Sequence, residues 1–369
     1  MKGLILAGGA GTRLRPITHT SAKQLVPIAN KPILFYVVEQ MAAAGVKDIG
    51  VVIARDPTGA AIEAALGDGS AFGVEITFIP QAEPLGLAHC VLIAHDFLGD
   101  DDFVMYLGDN MLQQPLRPLV DRFLGERSRQ LELHEPNVQL PAAQILLAHV
   151  DDPSRFGVAA VDKQGRVLHL VEKPAEPPSD LALVGVYLFD ARIHEAVRAI
   201  QPSSRGELEI TDAIQWLIDR GYPVLHDVLE GWWIDTGKKD PLLHCNRLVL
   251  DTIEPRNDGT LDADSRVEGR VVIGAGARLE RSVVRGPAII GPGTRLVDTY
   301  VGPYTSIAAD CELVDAGIEH SVVLEQSRIV GVHRITDSLL GREVEVFRSG
   351  ERPSATRLML GDHSRADLE

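Results

Sequence analysis

Short apolar runs alternate with amphipathic stretches through the first half of the chain. Between the first two runs, apolar side chains within residues 33–41 recur at helical spacing, and residues 210–218 repeat this pattern. Alternating strands and helices predict an α/β fold with a Rossmann-like mixed, mostly parallel sheet and covering helices. Four runs have the length and continuous apolar character of buried strands: residues 3–7, 49–54, 74–79 and 103–107.

The segment 143–190 is richer in strand-like patterns than the residues before it. Turn-forming residues at 151–153 and 163–165 separate its apolar runs. This segment therefore predicts either a continuation of the sheet as a mixed sheet or an inserted sub-domain.

Helical periodicity fades near residue 258, and pairs of an aliphatic residue with glycine recur from there on. Such repeats predict a left-handed β-helix of imperfect hexads. The pairs are not spaced at clean multiples of six, so a small β-domain with glycine turns is the alternative. We therefore predict an α/β domain over residues 1–250, a β-helix over 258–346, and a tail or last β-helix turn over 347–369.

Composition narrows the classes of partner. The 369 residues suit about two domains, and 52 acidic against 36 basic residues give a net charge of −16. This charge disfavours nucleic-acid partners, so any phosphate ligand must meet local positive groups. Three scattered cysteines predict a reducing, cytoplasmic location, and the absence of a long apolar run predicts no membrane span.

A glycine-rich turn follows the first predicted strand and contains Gly8, Gly11, Thr12 and Arg13. Backbone N–H groups in such a turn can converge on phosphates, and the arginine adds positive charge. The turn is neither a dinucleotide fingerprint, because Leu14 replaces its last glycine, nor a Walker A loop. By itself it could be only a tight connection between a strand and a helix.

The continuation of this turn decides between the two interpretations. Residues 8–18 match G-G-x-G-T-R-L-x-P-x-T, residues 23–27 match K-x-L-x-P, and Lys31-Pro32 completes the pattern. The chain thus resembles the sugar-1-phosphate nucleotidyltransferase family, and motif order and spacing are similar to its long-form thymidylyltransferases. Matching motifs continue through residues 81–88, 107–110, 156–158, 172–174, 205–212 and 233–237.

The resemblance implies transfer of a nucleotidyl group from dTTP to glucose 1-phosphate, giving dTDP-glucose and pyrophosphate. The attacking phosphate oxygen is already anionic, so catalysis needs alignment and charge neutralisation rather than a general base. Alternatives are UTP or another hexose 1-phosphate, and a non-catalytic regulatory or scaffold relative. Transfer of acyl groups by the β-helix has no support, because His320 and His333 are the only histidines in that region and a lone histidine on a β-helix is more often structural than catalytic.

The resemblance also implies a magnesium ion, Mg²⁺, held by Asp109 and Asp235. Asp109 follows an apolar run, where ligands bind in open α/β sheets. Magnesium is commonly held by one or two carboxylates together with substrate phosphates. Taken alone, Asp109 could instead cap a helix and Asp235 could belong to a turn.

The family's binding and catalytic roles fall on the matching positions of this sequence. Leu85 and Phe156 depart from the residues usual in shorter relatives, which affects fine specificity, and Trp232 and Trp233 could also serve core packing. We expect a homo-oligomer assembled through the β-helix.

The nucleotide-binding set is Gly8, Gly11, Thr12, Arg13, Gln24, Gln81, Gly86 and Asp109. The sugar-phosphate set is Gly157, Glu172, Lys173, Tyr187, Arg205 and Trp233. The catalytic set is Arg13, Lys23, Asp109, Lys173 and Asp235.

Overall fold

The computed structural model describes residues 1–9, 11–19, 21–133, 139–348 and 361–367. Most of the predicted tail, residues 349–360 and 368–369, lies outside the described residues. The chain divides into two compact units. Unit 1 contains Met1–Ala10 and Leu34–Trp233, and unit 2 contains Gly11–Ile33 and Ile234–Glu369.

Helices form where the sequence supplies an apolar face and a start signal. Asp56, for example, begins a helix by accepting hydrogen bonds from the N–H groups of Thr58 and Gly59, with Pro57 at the first helical position. No helix in the described part is long and apolar enough to cross a membrane. The α-helices are α1 Ile33–Ala43, α2 Pro57–Leu66, α3 Leu87–Ile93, α4 His95–Leu98, α5 Arg117–Leu133, α6 Ile193–Ala199, α7 Ile210–Asp219 and α8 Lys239–Leu250.

Nine strands of unit 1 form one mixed sheet, in which β10-β9-β11-β6-β1-β4-β5 are neighbours and β8 joins β11 to β12. β6, β1, β4 and β5 run parallel, whereas β11 runs antiparallel to β6 and β8. The strands outside the β-helix are β1 Lys2–Leu6, β2 Pro27–Ile28, β3 Lys31–Pro32, β4 Asp48–Ala54, β5 Glu75–Gln81, β6 Phe103–Leu107, β7 Asn110–Leu112, β8 Ala143–His149, β9 Gly157–Val161, β10 Val167–Glu172, β11 Leu181–Phe189, β12 Val224–Val228 and β13 Trp233–Asp235.

The predicted fold class is confirmed in unit 1. Continuous apolar runs form the central strands because both faces of the sheet are covered, and Leu4, Ile5 and Ile49 are fully buried. The predicted helical face of residues 33–41 is buried as well. The segment 143–190 extends the sheet and does not form a separate sub-domain.

The C-terminal strands of unit 2 form the stacked parallel sheets of the predicted β-helix. Val271 pairs with Ala288 and Ile290 with Ile307, a step of 17 residues. Other paired coils differ by 16 residues, as from Ile307 to Val323, or by 18, as from Leu261 to Leu279. Because the length of a coil varies, the sequence spacings departed from multiples of six. Its strands are β14 Arg256–Asn257, β15 Thr260–Leu261, β16 Arg266–Glu268, β17 Val271–Ile273, β18 Arg278–Glu280, β19 Val283–Arg285, β20 Ala288–Ile290, β21 Arg295–Val297, β22 Tyr300–Val301, β23 Thr305–Ile307, β24 Glu312–Val314, β25 Gly317–Glu319, β26 Val322–Val323, β27 Arg328–Val330, β28 Ile335–Thr336, β29 Leu339–Leu340 and β30 Glu345–Phe347.

Candidate active site

Three predicted ligand-binding residues of unit 1 lie at one edge of its sheet. Leu6 and Leu107 are in register at the carboxyl ends of the parallel neighbours β1 and β6. Gly8 and Asp109 follow these strand ends, and Gln81 ends the parallel strand β5. Open α/β sheets bind ligands at this edge, where the strands end and the connecting loops can shape a crevice.

The side chain of Gln81 lies beside the glycine-rich turn. A Cβ atom added to Gly8 would lie 2.8 Å from Gln81 Oε1, so a side chain at Gly8 would collide with this amide. The Nε2 group of Gln81 lies 3.0 Å from His89 Nδ1 and donates to Cys90 Sγ at 3.3 Å. The sequence motif ended at residue 88, so neither of these two supporting residues was predicted.

Gly86 has a backbone conformation and a contact that only glycine permits. Its φ is 105°, and an added Cβ would lie 2.4 Å from the carbonyl oxygen of Leu208. The N–H of Leu208 donates to Leu85 O at 2.7 Å, which ties the loop before α3 to residue 208. The loop is thus held by its backbone, while the Leu85 side chain is 38% exposed.

Asp109 is buried, and its Oδ1 accepts a hydrogen bond from Asn110 Nδ2 at 3.1 Å. Asn110 Oδ1 in turn accepts from Trp233 Nε1 at 2.5 Å. The ring of Phe156 meets that of Trp233 edge-on, with centroids 5.2 Å apart. No helix starts at Asp109, because β7 begins at the next residue, so the helix-cap alternative is wrong.

A cluster of charges around Glu172 contains three residues of the predicted sugar-phosphate set. Glu172 ends β10 opposite Gly157 of β9. Its Oε1 lies 3.4 Å from Lys173 Nζ and accepts a hydrogen bond from Arg205 Nη1 at 3.2 Å. Arg205 also donates to Glu207 Oε2 at 2.6 Å. Lys173 and Arg205, the two cations of the predicted sugar-phosphate set, therefore both contact the carboxylate of Glu172.

A cavity of about 330 Å³ adjoins this cluster. Burial raises the pKa of Glu209, and burial together with the negative charge of Glu172 raises the pKa of Asp212. Carboxyl groups with raised pKa values in a cleft are typical of functional sites. The cavity is lined by His169, Leu170, Val171, Glu172, Ser203, Ser204, Arg205, Glu209, Asp212 and Gln215.

Tyr187 lies in the hydrophobic core of unit 1, on β11. Its ring stacks on Phe189 with centroids 6.0 Å apart, and only 4% of the residue is exposed. Burial, together with the charge of Glu172, raises its pKa. Any role of Tyr187 toward a sugar is therefore limited to the small exposed part of this side chain.

In unit 2 the structure brings Arg13 and Asp235 together. Arg13 lies in the 3₁₀ helix Thr12–Leu14, which follows the left-handed residue Gly11. Its Nη2 is 3.5 Å from Asp235 Oδ2, and Asp235 Oδ1 accepts from the N–H of Gly237 at 2.9 Å. This backbone contact is typical of a turn aspartate, which is the alternative interpretation of Asp235. It involves Oδ1 and does not exclude a ligand on Oδ2.

The next 3₁₀ helix, Lys23–Leu25, contains two further predicted residues, Lys23 and Gln24. Gln24 is 1% exposed, and among the described residues no hydrogen-bond partner reaches its buried Oε1. An unpaired buried acceptor costs about 1–3 kcal/mol, which a donor from a bound molecule would recover. The role of Gln24 at the nucleotide stays a prediction.

A short hairpin of β2 and β3 follows this helix and packs within unit 2 on α8 and the β-helix. Its turn residues Ala29 and Asn30 both have positive φ, and the N–H of Ala29 donates to Asn246 Oδ1 at 2.8 Å. Asn246 also accepts from Ser306 Oγ at 2.9 Å, and Asn30 Nδ2 donates to Ile307 O at 2.7 Å. A single asparagine on an amphipathic helix gives no sequence signal for such a role.

The carboxylates available for a metal are compatible with magnesium. Within the described ranges no group of three or more His, Cys, Asp or Glu residues is placed to hold a metal ion. Any metal on Asp109 or Asp235 would therefore take further ligands from substrate or water, as magnesium usually does. Oxygen donors alone suit this hard cation.

Comparisons with known proteins agree with these motifs. The model of the nucleotidyl transferase family matches residues 2–252. The glucose-1-phosphate thymidylyltransferase of Streptomyces antibioticus is 54% identical to this chain over 369 residues, and the match covers both chains completely. The protein of that name from Streptomyces griseus is 55% identical, over all of this chain and 99% of the relative. The low-salt glycan biosynthesis nucleotidyltransferase of Haloferax volcanii is 47% identical over the full length of both chains.

A solved structure is also similar to this chain. It comes from Bacillus anthracis, is described as a glucose-1-phosphate thymidylyltransferase in complex with a sucrose, and superposes with a TM-score of 0.61 at 35% identity. The match covers 98% of that chain but only 69% of this one. The Streptomyces relatives, in contrast, match this chain over its full length.

Proposed function

The chain belongs to the nucleotidyl transferase family, and on this premise we infer that it transfers a thymidylyl group from dTTP to glucose 1-phosphate. The products are dTDP-glucose and pyrophosphate. In this reaction an oxygen of the sugar phosphate forms a bond to the α-phosphorus, and the bond to the bridging oxygen of pyrophosphate breaks. The intact charged residues of the motifs favour this activity over a non-catalytic role.

The cluster around Glu172 is the observation that best supports a sugar phosphate as acceptor. Lys173 and Arg205 supply two cations within 3.4 Å of one carboxylate, beside a cavity of about 330 Å³. The cations suit a phosphate dianion, whereas Glu172 suits sugar hydroxyls, each of which donates a hydrogen bond. Gly157, Tyr187 and Trp233 complete the proposed sugar-binding set.

The proposed nucleotide-binding residues form groups that contact different parts of the nucleotide. Arg13 and Lys23 offset the negative charge of the triphosphate, and the backbone of Gly8, Gly11 and Thr12 supplies N–H donors. Gln81 and Gly86 contact the base. Gln24, whose buried Oε1 has no hydrogen-bond partner within the described ranges, assists at the nucleotide.

Family members use a divalent cation, and magnesium is the proposed ion. Asp109 and Asp235 would each supply a carboxylate ligand. The bound ion would neutralise charge on the phosphates. The protein's own residues align the two substrates, and no general base is needed because the attacking oxygen is already ionised.

We also propose that residues 1–250 are the catalytic domain and that the β-helix of residues 258–346 serves contacts between copies of the chain. Full-length similarity to the Streptomyces relatives includes the β-helix, whereas the solved relative matches only 69% of the chain. A homo-oligomer in the cytoplasm remains a prediction, and light scattering of the purified protein would test its oligomeric state.

Pyrophosphate release tests the proposed reaction. The purified chain is assayed with dTTP, UTP, dCTP or ATP against the 1-phosphates of glucose, galactose and glucosamine, with magnesium omitted as a control. We expect the highest kcat/KM for dTTP with glucose 1-phosphate and no turnover without a divalent cation. Faster turnover of UTP would assign uridylyl transfer instead, and inactivity with every pair would favour a scaffold role.

A further inference from the structure

We propose that His89 is a positioning residue for nucleobase selection: with Cys90, it fixes the amide of Gln81 so that only the amide oxygen is presented to the base. The proposal rests on the proposed function, in which Gln81 contacts the base. It deepens that function by assigning the selectivity to residues on α3 that do not themselves reach the nucleotide.

Both N–H bonds of the Gln81 amide have partners on α3. Nε2 lies 3.0 Å from His89 Nδ1 and 3.3 Å from Cys90 Sγ, and one amide nitrogen carries two hydrogens. No hydrogen bond among the described residues ends on Oε1, and the space next to this oxygen is the position that a Gly8 side chain would fill. The oxygen is thus the part of the amide that faces the glycine-rich turn.

The chemistry of the two partners holds the amide in this orientation. His89 Nδ1 accepts only when the imidazole is neutral and its proton is on Nε2. Burial lowers the pKa of His89, which favours the neutral ring. Cys90 Sγ also lies 3.6 Å from the carbonyl oxygen of Gly86, to which its S–H donates. One thiol therefore connects the two residues proposed to contact the base.

A fixed acceptor selects bases by the group at ring position 3. Thymine and uracil carry an N–H there and can donate to Oε1, whereas cytosine presents a lone pair that repels it. With the amide free to rotate, Nε2 could instead donate to cytosine. Sites built around a fixed hydrogen bond discriminate strongly against analogues that cannot make it, because a buried group then stays unpaired.

A double-mutant cycle tests this mechanism in the full-length protein, with glucose 1-phosphate and magnesium. His89→Leu removes the acceptor, His89→Asn retains one near the position of Nδ1, and Gln81→Ala removes the amide. We expect the fixed orientation of the amide to contribute about 1.4 kcal/mol to dTTP binding, so His89→Leu should raise KM for dTTP about tenfold at nearly constant kcat. Its preference for dTTP over dCTP should fall by a similar factor, and His89→Asn should stay near wild type.

The decisive comparison is His89→Leu in the Gln81→Ala background, where the proposal predicts no further effect because the amide is gone. An equal loss in both backgrounds, or unchanged dTTP/dCTP preference in His89→Leu, overturns the proposal. A wild-type protein inactive with dTTP would instead refute the proposed function. If His89→Leu does not fold, Cys90→Ala, which removes the second acceptor, replaces it in the same cycle with the same expected signs.

Discussion

The guanidinium group of Arg13 lies 3.5 Å from the carboxylate of Asp235, 222 residues further along the chain. Their side chains are 51% and 30% exposed, so the pair contributes little to stability. It does place a permanent cation beside a carboxylate proposed to bind magnesium. Phosphate oxygens entering here would compete with Asp235 for the same guanidinium group.

Arg13→Ala should therefore impair catalysis far more than folding. We expect kcat/KM for dTTP to fall about 100-fold, because a charge-stabilising donor to the triphosphate is lost. The melting temperature should stay within about 2 °C, since the ion pair is exposed. Arg117→Ala is the matched control, because it removes another exposed pair, with Asp121. Equal kinetics for the two variants would contradict the proposed role of Arg13.

Glu172→Gln should affect the sugar phosphate and not the nucleotide. The substitution keeps the shape of the side chain but removes the charge that contacts Lys173 and Arg205. We expect KM for glucose 1-phosphate to rise at least about tenfold, and KM for dTTP to change less than about threefold. Glu207→Gln removes a different partner of Arg205 and serves as the control. A shift confined to the KM for dTTP would refute the assignment.

Asn246→Ala should destabilise unit 2. The substitution leaves the partly buried N–H of Ala29 and the buried hydroxyl of Ser306 without their acceptor, at about 1–3 kcal/mol for a buried group. We expect the free energy of unfolding in urea to fall by about 2–4 kcal/mol. Asn257→Ala, which removes one exposed contact to Gly259, should cost less than about 1 kcal/mol. Similar losses for both variants would show that Asn246 does not anchor the hairpin.

The three cysteine thiols should resist alkylation while the chain is folded. All three are buried, and burial raises the pKa of Cys90 and Cys245 to about 12 and of Cys311 to about 11. Alkylation needs the thiolate, whose fraction at pH 8 falls as the pKa rises above the usual value of about 8.5. Mass spectrometry after iodoacetamide treatment at pH 8 should find unmodified thiols in native protein and three modified thiols in urea. Rapid modification of native protein would contradict the described burial.

Much of the fold was predictable because buried strands and coils leave simple periodic patterns. The continuous apolar run of β6 and the helical face of α1 follow from covering both sides of a parallel sheet. The aliphatic-glycine pairs follow from the strand ends of the β-helix, as at Ile290. The length of each coil, which varies from 16 to 18 residues, was not predictable, since gaining or losing one residue in a coil alters spacing without altering composition.

The candidate site was predictable where its chemistry lies in short motifs, as for Arg13, Glu172 and Lys173. Its supporting contacts were not, because they join single residues from distant parts of the chain. The Asn246 contact to Ala29 spans 217 positions and has no local pattern. His89 follows a motif directly, but only the structure shows that it contacts Gln81.

The central claim is that Asp109 and Asp235 are both required, as magnesium ligands, for thymidylyl transfer. It is tested most directly by pyrophosphate release from dTTP and glucose 1-phosphate at saturating magnesium, comparing wild type with Asp109→Asn and Asp235→Asn. Loss of a metal ligand without loss of core volume predicts that both variants keep their circular dichroism spectra and lose turnover by several orders of magnitude. Wild-type rates in either folded variant would contradict the claim.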